Sequence, residues 1–170
     1  MIIDSSYFKA NLKIEGLNSY SGADATKRAN TDAMGSYIEK YEHEYLLKIL
    51  GENVGSRFLE YIQSGKKDNP TFDSLKDMLS TFGGKEGRSP IANYVFFYYV
   101  RRNQFSATMI GVTKTDTDNP LANPTPLLMD AWNEMCEMNE SILSFLRKSP
   151  IWKDVLFDCY MVKRINLLGI

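Results

Sequence analysis

Ser89-Pro90-Ile91-Ala92-Asn93-Tyr94-Val95-Phe96-Phe97-Tyr98-Tyr99-Val100 decides how this chain is read, because it is apolar or aromatic on nearly every side. Ser89 is a good helix N-cap, and Pro90 is preset for a first helical turn, where its missing N–H costs nothing. A helix that is hydrophobic all round is normally central, with neighbours packed about it. The aromatic and β-branched content also suits a buried strand. The cap and the polar continuation Arg101-Arg102-Asn103-Gln104 favour helix.

Amphipathic helices are expected on both sides of this stretch. Met34, Ile38, Tyr41, Tyr45 and Ile49 recur at three- and four-residue steps, with Glu39, Lys40, Glu42, Glu44 and Lys48 on the polar remainder. Thr31 is the expected cap and Gly51 the expected stop. Val54, Phe58 and Ile62 mark a second helix ending at Gly65. Thr71 opens a third, carrying Phe72, Leu75, Met78, Leu79 and Phe82 up to the Gly83-Gly84 break. After the central helix, Thr125-Pro126 opens a long fifth one. Its stripe runs through Leu128, Ala131, Trp132, Met135, Met138, Asn139, Ile142, Phe145 and Leu146, and Lys148-Ser149-Pro150 closes it.

The chain therefore predicts a mainly α fold, a bundle of about five helices. A β-hairpin-like or extended excursion over 106–119 separates the fourth from the fifth. The 170 residues suit one domain, 1–170, with an N-terminal arm over 1–22, a short further helix within 151–160 and a C-terminal docking tail over 160–170.

Composition narrows the functional classes. Lys and Arg number 20 against 21 Asp and Glu, which disfavours a surface built mainly to grip phosphate backbones. No apolar run approaches the roughly 20 residues that span a bilayer, so no membrane partner is expected. The start, Met1-Ile2-Ile3-Asp4, lacks the pattern of a signal peptide. Cys136 and Cys159 have no metal-ligand spacing and fall in apolar stretches, where free cysteine is usually buried.

Catalytic and metal motifs are missing in the same way. His43 is the single histidine, on the charged side of its helix, without partner groups for catalysis or metal binding. Glu134, Glu137 and Glu140 read as the solvated edge of an amphipathic helix. Asp116-Thr117-Asp118-Asn119 lacks the glycine and distal Glu of a calcium loop. Gly83-Gly84-Lys85-Glu86-Gly87-Arg88 lacks the order of a phosphate loop and reads as a turn. Neither an enzyme site nor a cofactor or metal is expected.

Aromatic and apolar surplus points instead to partners, since such residues are enriched where protein surfaces meet. The expected partner-binding residues are Met109, Ile110, Val112 and Lys114 in the excursion. Ile165, Asn166, Leu167, Leu168 and Ile170 are expected in an apolar tail that either folds back or docks on a partner.

Ser89 to Arg101, Ala131-Trp132-Asn133-Glu134-Met135 and Ile165-Asn166-Leu167-Leu168-Gly169-Ile170 together resemble a family of short virion proteins. These are encoded by tailed phages and prophages of gut Bacteroidetes, including crAss-like phages. Ile3-Asp4-Ser5-Ser6-Tyr7-Phe8 and Tyr37-Ile38-Glu39-Lys40-Tyr41-Glu42 fit as well, so the resemblance spans most of the chain. It implies a neck component, a head-to-tail connector or ring protein below the portal, assembled in the host cytoplasm. The implied partners are like subunits in a ring, the portal and other neck or tail proteins, with genomic DNA at most passing through the channel. The other reading is a small cytoplasmic, phage-encoded binding or regulatory module acting on a protein or nucleic acid.

Overall fold

The computed structural model describes residues 1–14, 17, 24–103, 105–108, 111–114 and 125–166, giving backbone alone over 24–31, 103, 105–108 and 111–114. The chain is a mainly helical bundle, with four α-helices among the described residues: α1 Asp24–Ser64, α2 Pro70–Ser80, α3 Pro90–Asn103 and α4 Thr125–Lys148. The first and second expected helices are one run, α1, bent at Gly51, whose φ of 76° and ψ of 168° are non-helical. Gly51 does interrupt the helix as the sequence suggests, but the chain resumes helix at once. The run also begins before Thr31, at Asp24.

Capping explains the next two starts. Asn69, not Thr71, opens α2: its side chain accepts from the N–H groups of Thr71 and Phe72, with Pro70 leading the first turn. At α3, the Ser89 hydroxyl accepts from Ala92 N–H at 3.3 Å and donates to Leu79 C=O at 2.6 Å. One side chain thus caps α3 and ties it to the end of α2. α3 packs against α1, α2 and α4, and Ile91, Ala92, Tyr94, Val95 and Phe96 are fully buried there. The all-round apolar stretch is the central helix.

Beyond α3, β1 (Phe105–Thr108) pairs antiparallel with β2 (Gly111–Lys114), Phe105 opposite Lys114 and Thr108 opposite Gly111. Residues 109, 110 and 115–124, which include the acidic run at 116–119, lie outside the described residues.

Both ends of the chain depart from expectation. Of the arm expected over 1–22, residues 1–14 and 17 are described, and they are packed down and not extended. They form 3₁₀ turns at Ser5–Tyr7 and Ala10–Leu12, and they bury Ile3, Phe8, Leu12, Ile14 and Leu17 in the same core as α1 and α3. The region after α4 holds 3₁₀ turns at Trp152–Asp154 and Cys159–Val162 in place of a further α-helix. Pro150 and the extended backbone at Val155 and Asp158 prevent a continuous ladder.

Glu42, read from sequence as part of the polar remainder of its helix, is buried at 4% exposure. Its carboxylate accepts from Ile2 N–H (2.9 Å) and Ile3 N–H (3.2 Å), which anchors the N-terminal segment to α1. Burial raises its pKa, and the two backbone hydrogen bonds only partly offset that.

Candidate interaction surfaces

The residues after α4 form a strap across α1 and back along α4. At the Gly51 bend, α1 carbonyls lose their partners four residues on, leaving acceptors that need donors. Leu156 N–H reaches Leu50 C=O at 3.2 Å and Asp158 N–H reaches Lys48 C=O at 2.8 Å. Ion pairs flank the crossing, Lys48–Asp158 at 3.5 Å and Arg57–Asp154 at 4.0 Å. Glycine is needed at 51 twice over. Its φ lies in the left-handed half of the map, and a Cβ there would stand 2.8 Å from Leu156 Cβ.

Along α4 the strap is held by its own carbonyls. Asn139 Nδ2 donates to Met161 C=O at 2.7 Å. Trp132 Nε1 donates to Lys163 C=O at 2.9 Å, with Cys136 Sγ at 3.5 Å from the same oxygen. Asn133 then both donates to Ile165 C=O and accepts from Ile165 N–H, each at 2.9 Å. The caught carbonyls are two residues apart, as expected where an extended chain turns alternate groups to one side. Asn139 Oδ1 also accepts the Tyr45 hydroxyl at 2.5 Å, so one buried amide joins α1, α4 and the strap. Burial pushes the Cys136 thiol up to about 11. Cys159, expected to be buried, is exposed.

Two large apolar side chains project from the strap, among the exposed Lys153, Asp154, Lys163 and Arg164. Leu156 is 77% and Tyr160 70% exposed, well beyond the other residues of their size in the core. Beside them lie two concavities. One of about 630 Å³ is lined by Leu47, Leu143, Trp152, Leu156 and Phe157. Another, of about 350 Å³, is lined by Tyr98, Trp132, Tyr160 and Ile165. Lys48 and Asp158 border both.

A second junction joins the Ser89–Arg101 and Ala131–Met135 blocks. Asn93, 2% exposed, donates from Nδ2 to Ala131 C=O at 3.0 Å and to Glu134 Oε2 at 3.3 Å. Arg88 completes it through Nε to Glu134 at 3.0 Å, with Glu137 at 3.8 Å. The turn at 83–88 thus delivers a cation to α4. Glu134, expected on a solvated edge, is a half-buried structural partner, whereas Glu137 and Glu140 are exposed. Arg164 of the strap pairs with Glu140 at 3.6 Å. Among the described residues no group of His, Cys, Asp and Glu is placed to hold a metal ion, and His43 is exposed.

A third surface lies where α1 meets the end of α3. Tyr41 and Tyr98 stack at 4.9 Å, and Tyr98 also packs on Tyr94 and Phe97. Lys40 and Arg102 approach the Tyr41 ring at 5.4 and 6.0 Å. Lys40, Tyr41, Glu44, Tyr98, Arg101 and Arg102 line a cleft of about 520 Å³. Glu44 accepts the Tyr94 hydroxyl at 2.8 Å. The Tyr41 hydroxyl is buried without a hydrogen-bond partner, and its pKa is raised, by burial above all.

Of the partner-binding residues expected from sequence, Val112 and Lys114 stand on β2, while Met109, Ile110, Leu167, Leu168 and Ile170 lie outside the described residues. Ile165 is half-buried with its backbone on Asn133, and Asn166 follows it, exposed. The chain's own α4 therefore takes the start of that tail. The exposure of Leu156 and Tyr160 is not legible in the sequence, because an apolar residue in a 3₁₀-rich segment carries no periodicity to show which way it faces. No helix among the described residues is long and apolar enough to cross a membrane. Comparison with family models, curated proteins and solved structures gives no match.

Proposed function

We propose that this chain is a structural virion protein, a head-to-tail connector or neck ring subunit that binds like subunits together with portal or tail components. The observation that carries the proposal is the strap. Its polar backbone is satisfied internally on α1 and α4, while Leu156 and Tyr160 point outward beside two concavities. Apolar side chains carried on a pinned backbone lose less freedom on docking than those on a loose one, so more of the roughly 25 cal/mol per Å² of apolar burial survives the cost of association.

The resemblance supplies the kind of partner. Two of the blocks that carry the resemblance, Ser89–Arg101 and Ala131–Met135, are bonded to each other, so they pack as one unit. Ring contacts between such subunits are heterologous, each copy offering one surface to the next.

Locating the chain in particle density tests the assignment directly. Density at the neck, adjoining the portal, is the expected result; a chain never recovered in particles rejects it and favours the regulatory-module reading. The double variant Leu156→Asp, Tyr160→Asp should leave the helical circular dichroism unchanged and abolish incorporation. Normal incorporation would reject the strap as the docking surface.

A further inference from the structure

The cleft over Tyr41 and Tyr98 carries cations that meet no carboxylate among the described residues, Lys40 and Arg102 touching only the face of the Tyr41 ring. Arg57, Arg88 and Arg164 each reach a carboxylate, whereas among the described residues Arg101 and Arg102 form no ion pair and are exposed. Placement in the last turn of α3 suits their charge to the helix dipole. That accounts for the sign, but not for the cleft or for the buried Tyr41 hydroxyl at its floor that lacks an acceptor. A buried O–H left without a partner is rare in folded proteins. The hydroxyl is free to donate, and Lys40, Arg101 and Arg102 outnumber the cleft's one carboxylate, Glu44, which already accepts from the Tyr94 hydroxyl, so an anionic acceptor fits.

The cleft fits a carboxylate better than a polynucleotide. The two tyrosine rings stack on one another, and Tyr98 is further covered by Tyr94 and Phe97, so the floor presents packed rings to an incoming base. The chain as a whole carries a formal charge of −1.

Suitable carboxylates occur on the same chain, out of reach of its own cleft. Glu52 and Glu60 are exposed, without ionic partners among the described residues, and lie on one i, i+4, i+8 ridge of α1 with Ser56. Glu52 is some 18 Å along the helix from Lys40, at 1.5 Å per residue, and beyond the Gly51 bend. A negative ridge and a positive cleft at different places on one molecule are the two halves of a heterologous contact.

We infer that the Lys40–Arg101–Arg102 cleft receives Glu52 and Glu60 of a second copy of this chain, with a carboxylate oxygen accepting the Tyr41 hydroxyl once Arg102 swings toward the anion. This deepens the ring-subunit reading by naming the contact between like subunits, and it rests on that reading for the need to self-associate.

Sedimentation velocity on the full chain across a range of concentrations and salt tests it. The wild type should self-associate, more weakly as salt rises. Arg101→Glu with Arg102→Glu, and separately Glu52→Arg with Glu60→Arg, should each weaken association at least roughly tenfold. An equimolar mixture of the two double variants should associate again, because each reversed surface then meets its complement. All four positions are exposed, and matching thermal melts would show that the variants fold. If the cleft variant associates like the wild type, the cleft proposal fails while the ring reading stands. A wild type that stays monomeric at every concentration overturns the self-contact and leaves the virion reading to particle density. Binding of a single-stranded oligonucleotide that is lost in the cleft variant, without self-association, overturns it in favour of a nucleic-acid site.

Discussion

Asn133 and Ile165 exchange two hydrogen bonds, amide to carbonyl and amide to carbonyl, both at 2.9 Å. The side-chain amide of a helical residue thereby acts as a short piece of neighbouring strand. Its grip does not depend on the side chain at 165, because only backbone atoms of Ile165 take part. Replacing Asn133 with Leu should cost about 1–2 kcal/mol, since both bonds are only partly buried. The check is hydrogen exchange at the Ile165 amide, which should lose its protection while amides inside α3 keep theirs.

Gly51 should tolerate no side chain. Gly51→Ala puts a Cβ into a backbone region essentially reserved for glycine and against Leu156, at a cost of roughly 3 kcal/mol. The strap is the part best able to yield, so its crossing should open first. Exchange of the Leu156 and Asp158 amides should rise more than that of amides within α2. A variant as stable as the wild type, by urea titration, would refute the role given to this glycine.

Tyr45, Asn139 and the Met161 carbonyl form one buried relay between α1, α4 and the strap. Tyr45→Phe leaves one Asn139 acceptor unmet, at about 1–3 kcal/mol, whereas Asn139→Ala orphans two groups and should cost more. The double variant should lose less than the sum of the singles. Urea midpoints for the four-member cycle measure that coupling.

Glu42 gives the stability a slope in acid. Its pKa is raised above the ordinary 4.5, so the folded chain binds a proton that the unfolded chain has released between those two values. The contribution of Glu42 to stability therefore falls as pH rises through that window and is constant above it. Glu42→Gln cannot titrate. Plotted against pH from 4 upward, wild-type stability minus that of the variant should decline and then level off; a rising difference would contradict the burial of this carboxylate.

How much of this was legible in the sequence depended on how far apart the interacting residues lie. Ser89-Pro90 announced α3 correctly because a cap and its helix are neighbours. Gly51 announced a break for the same local reason, but the strap residues that fill the freed carbonyls come from Leu156 and Asp158, far along the chain. Glu42 looked like one more surface charge because the N–H groups that hold it belong to Ile2 and Ile3. Asn139 was placed on the correct face of α4, yet nothing nearby indicated that it bonds Tyr45 and Met161. The apolar run at the end reads as a tail that folds back or docks; Ile165 at its start is seated on α4, and residues 167–170 lie outside the described residues.

Synthesis runs from the N-terminus, and the strap is the last described part to be made. Until residues 156–165 have left the ribosome, the acceptors of Lys48 and Leu50 stay open to water, and Asn133 and Asn139 have no backbone to clasp. These contacts join residues far apart in sequence, so they are expected to form after the local contacts of the helices. A chain cut before Val155 would leave the carbonyls of Lys48 and Leu50 and the side chains of Asn133 and Asn139 without these partners, so the outer surface on that side is completed only by the strap.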